Sequence, residues 1–106
     1  MATPYSFRLV TPLGKVFESD DVESITAPGE AGRLGVLANH APMVSGLMAG
    51  ALTVTRTGGN TEVYFMHEGV LQVTDIDVIV LADYAEGVES IDAAKARVAE
   101  RAASDA

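Results

Sequence analysis

The sequence predicts a mainly β fold that ends in a single short α-helix. Three observations support this prediction: apolar and polar residues alternate over most of the chain, turn-forming residues recur about every ten positions, and the last segment changes to a helical period. With 106 residues and 48% apolar side chains, the chain is long enough to bury the core of one domain. We therefore expect a β-sandwich or barrel of about seven or eight strands over residues 1–86 and a helix over residues 90–104.

The predicted strands follow one another along the chain. Tyr5–Thr11 places Tyr5, Phe7 and Leu9 on one face, and a second extended piece runs from Val16 to Ile25. The segment Thr57-Gly58-Gly59-Asn60 predicts a hairpin turn, because Gly and Asn tolerate positive φ. The other predicted strands are Ala51–Arg56, Thr61–His67, Val70–Thr74 and Ile76–Ala82.

One predicted strand is apolar on both faces. After Asp77, the segment Ile76–Ala82 contains no polar side chain, whereas an antiparallel sheet usually turns one face to water. Such a strand lies either under a covering element or in a contact with another subunit. We favour the first alternative, in which the chain's own helix covers the strand.

The predicted helix has a clear beginning. Ser90 is a suitable N-cap, Asp92 lies in the first turn, where the helix dipole favours a negative charge, and the segment is rich in alanine. A helix of this length is marginal in water, and its alanine face stabilises little by burial. We therefore expect the helix to dock weakly and to detach readily.

Charge and composition limit the classes of molecule that the chain is expected to bind. Fifteen acidic and seven basic residues give a net charge of −8, and residues 1–90 carry all of it. An acidic body is repelled by nucleic acid and by anionic lipid, so we expect neither as a partner and no direct membrane insertion. The chain has no cysteine, its apolar runs are too short to span a bilayer, and no basic-then-apolar signal segment precedes the first strand. These features are typical of a soluble domain of the cytosolic type.

The sequence contains no complete catalytic motif of the kinds considered below. It has no phosphate-binding loop, and Ser45 lacks the first glycine of a nucleophile elbow. His67-Glu68 begins an incomplete zinc motif, because Leu71 stands where the second histidine belongs, so we expect no metal. Carboxylate pairs such as Asp20-Asp21 lie beside turns and are expected to be solvated. We therefore expect no catalytic residues.

The least ordinary segment is Ala27–Pro42. It contains Gly29, Gly32 and Gly35 at a spacing that permits tight turns and close backbone approach, but nothing after them resembles a nucleotide-binding helix. On residue patterns alone, the segment is equally consistent with a sheet corner and with a displayed contact loop.

This segment resembles the signature of the epsilon subunit of F-type ATP synthases. The similar pieces are a Pro-Gly at Pro28-Gly29, then Gly32-Arg33-Leu34-Gly35-Val36-Leu37, and then His40-Ala41-Pro42. The resemblance continues through Leu47–Gly50, where Ala49 replaces a proline, and closes with Ile91-Asp92-Ala93-Ala94-Lys95-Ala96. The pieces come in order from Tyr5 to about Ala102.

The resemblance implies a ten-stranded N-terminal β-sandwich followed by a helical part, of which this chain holds one short helix. It also implies a non-catalytic rotor subunit in the central stalk, which binds the gamma subunit and the c-subunit ring and couples ring rotation to ATP synthesis from ADP with a proton gradient. A role in regulating ATP hydrolysis and a contact of the helix with the alpha/beta head are further expectations. The implied location is peripheral, on the cytoplasmic face of the bacterial plasma membrane.

Site residues follow from the same resemblance. Glu30, Arg33 and His40 are expected to contact the c ring, and Val78 and Val80 the gamma subunit. Each of two residues has an open alternative to contact with the c ring. Arg33 is alternatively a solvated turn residue, and His40 alternatively holds the His-Ala-Pro turn. The family often has an acidic residue in place of Arg33.

A nucleotide site is the remaining alternative. Ile91-Asp92 with Lys95-Ala96 is similar to the motif through which some bacterial epsilon subunits bind ATP, which makes Asp92 and Lys95 candidate nucleotide-binding residues and the chain an alternative regulatory ATP-binding module. Lys95 replaces an arginine and presents a compact charge in place of a two-pronged one. The second helix that completes the family's site would lie beyond Ala106. We therefore expect an ordinary helix start, with no cofactor and at most weak ATP binding.

Overall fold

The computed structural model describes residues 4–38 and 41–105, which form nine strands and one helix. In chain order these are β1 (Tyr5–Thr11), β2 (Gly14–Gly29), β3 (Gly32–Leu37), β4 (Met43–Leu47), β5 (Gly50–Arg56), β6 (Thr61–Met66), β7 (Gly69–Val73), β8 (Asp77–Ala82), β9 (Ala85–Val88) and α1 (Ile91–Asp105). The mainly β prediction with one C-terminal helix is confirmed. None of the described residues belongs to a helix long and apolar enough to cross a bilayer.

A single hydrogen-bonded sheet makes both layers of the sandwich. The strand order is β1-β8-β7-β4-β2-β5-β6-β9; β3 pairs with β2, and β1 pairs with β2 as well. β2 pairs with β1 over its first half and with β3 and β5 over its second half, so it belongs to both layers. The described residues hold nine strands, close to the ten that the family resemblance implied.

The core lies between the two layers. Phe7 and Leu9 of β1 are fully buried with Leu71 of β7 and Val80 of β8, and they meet side chains of the other layer such as Leu52. These positions alternate with exposed ones, which is the pattern that fixes strand register. The strands predicted from alternation at Tyr5–Thr11 and Ala51–Arg56 are therefore present, and Gly58 and Gly59 turn with positive φ between β5 and β6.

Helix α1 begins as predicted but covers a different part of the sheet. The Ala93 N–H donates to the Ser90 side-chain oxygen at 3.1 Å, so Ser90 is the N-cap. Ala94 is fully buried against Ala51 and Phe65, and the helix packs on β5, β6 and β9. The expectation that the helix covers the Ile76–Ala82 strand is therefore wrong, and Leu81 of that strand stays 49% exposed.

Candidate functional site

An apolar surface runs across the layer that the helix leaves open. Val10 of β1 pairs with Leu81 of β8, which pairs with Val70 of β7, so the three side chains form a row on the outer face. In the neighbouring row polar and apolar residues alternate, in the order Arg8, Ile79, Gln72 and, on β4, Val44. Val44 is 70% exposed and Val70 is 40% exposed. We call the five apolar residues of the two rows the outer apolar face (Val10, Val44, Val70, Ile79 and Leu81); exposed apolar patches can mark interaction surfaces.

The edge of the outer apolar face forms a groove of about 430 Å³ between the β1–β2 hairpin and the start of β7. Pro12 of the hairpin lines it together with Val10, Val70 and Leu81. Leu13, at the tip of the same hairpin, is 96% exposed. The hairpin therefore extends the apolar surface beyond the sheet.

Val78 and Val80 lie on the opposite side of β8 from this face. Their side chains are buried in the core at 4% and 0% exposure, because successive residues of a strand point to opposite faces. The contact of Val78 and Val80 with the gamma subunit stays a prediction; the side chains of β8 that point outward are those of Ile79 and Leu81. The alternation of side chains along β8 identifies its outward residues once its pairing with β1, whose inward residues are Phe7 and Leu9, is known. The sequence did not show that β1 and β8 pair.

The β2–β3 turn carries two of the residues predicted to contact the c ring. Gly32 has a φ of 123°, which a side chain rarely adopts, and it closes the turn after Glu30 and Ala31. Arg33 is exposed and pairs with Pro28 across the hairpin. His40, the third predicted residue, lies outside the described residues.

The Glu30 side chain folds against β4. Its carboxyl carbon lies 3.0 Å from where a Cβ on Gly46 would stand, and Gly46 pairs with Val70 of the outer apolar face. The turn and the outer apolar face therefore meet at Gly46. Nothing in the sequence pattern indicated this contact, because it joins a turn residue to β4, and β4 pairs with the preceding strand β2 only at Gly29 and Leu47.

Asp92 and Lys95 are both exposed on the first turns of α1. Lys95 lines a groove of about 420 Å³ beside the helix, in which Asp92 takes no part. The structure thus does not gather these two residues around one cavity, and nucleotide binding stays a prediction. Within the described part of the chain, no group of acidic and histidine side chains is arranged to hold a metal ion.

A charged cluster braces the opposite side of the sandwich. The Arg56 guanidinium donates to Asp21 at 2.9 Å and to Glu62 at 3.2 Å, and it lies over the Phe17 ring. The hydrogen bond from Arg56 holds the pKa of Asp21 below its usual value, and Asp21 and Glu62 raise the pKa of Arg56. Burial and the neighbouring Glu62 raise the pKa of Tyr64 to about 12. These groups are paired with each other and tie β2, β5 and β6 together.

Comparison with known proteins identifies relatives over nearly the whole chain. Residues 4–88 match the family model described as the ATP synthase, Delta/Epsilon chain, beta-sandwich domain. The chain is 43% identical over 98 residues to an ATP synthase epsilon chain of Pelotomaculum thermopropionicum, a match that covers 92% of this chain and 72% of the relative. It is 44% identical over 94 residues to one of Rhodopseudomonas palustris, with 89% and 67% covered.

Solved structures show the same fold. A chain in the mitochondrial ATP synthase of Euglena gracilis, described as OSCP/F1/c-ring, superposes with a TM-score of 0.78 at 29% identity, covering 95% of this chain and 64% of that one. A chain from the central stalk/c-ring of the Tetrahymena thermophila enzyme gives a TM-score of 0.67 at 14% identity, covering 97% and 92%, which shows the fold alone.

Proposed function

The chain belongs to the ATP synthase delta/epsilon family, and from this membership we propose that it is a non-catalytic subunit of the rotating central stalk. Its function is that of an ATP synthase epsilon chain, a component of a membrane-associated enzyme complex. In the proposed role it makes and breaks no bonds. It transmits rotation from the c ring to the gamma subunit, and a close-packed sandwich suits this task because such interiors have low compressibility.

The outer apolar face is the observation that carries this proposal. Leu81 and Val70 lie side by side and exposed on a sheet that the chain's own helix leaves uncovered. An apolar surface of this kind gains free energy when a partner removes it from water. In the proposed arrangement the gamma subunit covers this face and inserts against the groove beside the β1–β2 hairpin.

The β2–β3 turn is the proposed contact with the c ring. Glu30 and Arg33 stand at one end of the long strand β2 and present charges of opposite sign. Polar, oppositely charged groups on a tight turn suit polar loops of a ring, where they set orientation more than affinity. With this contact, the proposed position of the subunit is peripheral to the membrane, and for a bacterial enzyme on the cytoplasmic face.

A regulatory role for the helix is a further part of the proposal, and it requires α1 to detach. Among the described side chains of the helix, Ala94 is fully buried in a cluster with Ala51 and Phe65, and partly exposed ion pairs join Arg97 to Glu86 and Arg101 to Glu68. A detached helix is free to reach the alpha/beta head and to restrain ATP hydrolysis there.

Co-purification tests the proposal. The full chain is expressed with a tagged gamma subunit and the c ring, and the three are expected to elute together in stoichiometric amounts. Membranes that lack the chain are expected to lose coupling between proton flow and ATP synthesis, and adding the purified chain should restore it. A chain that has no affinity for gamma and does not restore coupling contradicts the central-stalk role.

A further inference from the structure

The sheet face that α1 covers contains a row of four residues, one from each of four neighbouring strands. Thr26 of β2 pairs with Thr53 of β5, Thr53 pairs with Val63 of β6, and Val63 pairs with Val88 of β9. Residues directly opposite each other point to the same side of a sheet. Leu52, the neighbour of Thr53 in sequence, points into the core, so the row lies on the outer side of this layer.

The contact between the helix and the sheet reaches this row. Val63 and Val88 pack against the apolar cluster that joins α1 to the sheet, whose buried members are Ala51, Phe65 and Ala94. Ala51 lies two residues before Thr53 on β5, so the two side chains point to the same side. Residues of the helix contact therefore flank Thr53 both along its strand and across the sheet.

The hydroxyl of Thr53 is a polar group in these apolar surroundings. Its oxygen is buried from solvent, and the described part of the chain provides no hydrogen-bond partner for it. A hydroxyl that is removed from water and makes no hydrogen bond destabilises the state in which it is buried. A valine at this position would have nearly the same shape and would carry no such penalty.

This penalty depends on the position of the helix. When α1 is docked, the cluster around Ala94 keeps water away from the Thr53 hydroxyl. When α1 detaches, the outer side of β5 is exposed, and the hydroxyl can form hydrogen bonds with water. The unmade hydrogen bond therefore raises the free energy of the docked state and leaves that of the detached state unchanged.

We propose that Thr53 sets the docking equilibrium of α1 and shifts it toward detachment through its unpartnered hydroxyl. The inference deepens the regulatory role proposed for the helix, and its importance for the enzyme rests on that role. The equilibrium itself is a property of this chain alone, so it can be measured without any partner subunit.

Thr53→Val tests the proposal in the full chain. The substitution replaces the hydroxyl by a methyl group and removes the penalty from the docked state. Amide hydrogen exchange, expressed as protection relative to the intrinsic rate, is expected to show protection of the α1 amides about five- to tenfold higher than in the natural chain.

Two matched variants separate the hydroxyl from other effects. Thr53→Ser keeps the hydroxyl, so it should not raise the protection of the α1 amides. Thr55→Val makes the same replacement two residues further along the same side of β5, opposite Thr61. The Thr55 hydroxyl is not enclosed in this way among the described side chains, so this variant should also leave the protection of the α1 amides unchanged.

A second measurement asks whether the effect of Thr53→Val requires the docked helix. Ala94→Glu places a charge in the buried contact and is expected to release α1, which loss of amide protection in the helix confirms. In the natural background Thr53→Val should raise the urea midpoint of unfolding. In the Ala94→Glu background it should leave the midpoint nearly unchanged, because water already reaches Thr53.

Three outcomes would overturn the proposal. These are unchanged α1 protection in Thr53→Val, an equal rise in Thr53→Ser or Thr55→Val, and an equal gain in the urea midpoint when the helix is released. Pull-down with gamma distinguishes this failure from failure of the central-stalk role. Thr53 lies on a strand outside the outer apolar face, so Thr53→Val should bind gamma as the natural chain does, whatever its effect on α1.

Discussion

Leu81 of β8 lies directly opposite Val70 of β7, and both side chains point away from the core on the layer that α1 does not cover. Their inward neighbours Val80 and Leu71 are also paired with each other and are fully buried. On these two strands, one pair of residues therefore faces away from the core and the adjacent pair faces into it.

Replacing Leu81 by glutamate tests the outer apolar face. We expect the folded state to survive, because the side chain is half exposed, and binding to gamma to weaken on the order of 30-fold, since a charge is placed in an apolar contact. Pull-down with tagged gamma or calorimetry measures the loss. Ile76→Glu is the control, because Ile76 is 82% exposed in the turn before β8. Wild-type affinity in Leu81→Glu would refute the assignment of this face.

The inward-facing residue Leu71 is expected to contribute to the stability of the fold. Leu71→Ala should lower the free energy of unfolding by about 2–5 kcal/mol, because it removes buried methyl groups and leaves a cavity. Val70→Ala, one residue away and exposed, should change it by less than about 1 kcal/mol. Urea denaturation followed by circular dichroism gives both values. A similar loss in the two variants would show that the strand does not alternate as described.

The β2–β3 turn can be tested by cross-linking. The natural chain has no cysteine, so Glu30→Cys provides a unique reactive group at the turn. A short cross-linker on this residue is expected to join the c subunit in assembled membranes. Asn60→Cys is the matched control, because the β5–β6 turn lies at the opposite end of β5 from Gly50 and the β2–β3 turn. Equal cross-linking from both positions would argue against a specific contact at the turn.

The end of α1 predicts a response to acid. Arg101 Nη2 lies 2.8 Å from a Glu68 oxygen, and a backbone N–H together with Arg101 keeps the pKa of Glu68 below its usual value. A carboxyl with a lowered pKa in the folded state stabilises docking above its unfolded pKa, and this contribution is lost as pH falls through the lowered value. The protection of the α1 amides, expressed relative to the intrinsic exchange rate at each pH, should therefore fall in acid.

Glu68→Gln separates this ion pair from the rest of the acid response. The variant should lower the protection of the α1 amides at neutral pH by up to about fivefold, since exposed pairs contribute little, and should flatten the fall in protection at low pH. Glu18→Gln breaks the pair with Lys15 in a hairpin remote from the helix and should leave α1 unchanged. An unaltered acid response in Glu68→Gln would exclude Glu68 as its source.

The sequence predicts those parts of the fold whose patterns lie within a few neighbouring residues. Tyr5–Thr11 alternates cleanly, Gly58-Gly59 permits a tight turn, and Ser90 caps a helix, so each feature lies within a few residues and each is present in the structure. The strands β3, β4 and β9 were not predicted from residue patterns. They contain glycine at Gly35, Gly46 and Gly87, which weakens any period of two.

The candidate site depends on contacts that are distant in sequence. The docking position of α1 could not be predicted, because an alanine-rich face fits many flat surfaces equally well. In the structure Ala94 packs with Ala51 and Phe65, and ion pairs join the helix to Glu86 and Glu68. Because side chains alternate along a strand, the outward direction of Leu81 follows once Phe7 and Val78 are known to pair. These two residues pair in parallel strands and are separated by most of the chain in sequence.

Strand β2 has a mechanical consequence. Sixteen residues of extended chain measure roughly 50 Å at about 3.3 Å each, while the longest dimension of the molecule is 43 Å, so this one strand is long enough to run through most of the body. A pull on the turn after Gly29 is carried first along covalent bonds, and it reaches β1 and β5 sideways, across many hydrogen bonds loaded in shear together. Bonds arranged in this way must break simultaneously rather than unzip one by one, which gives a small domain high resistance to sudden tension.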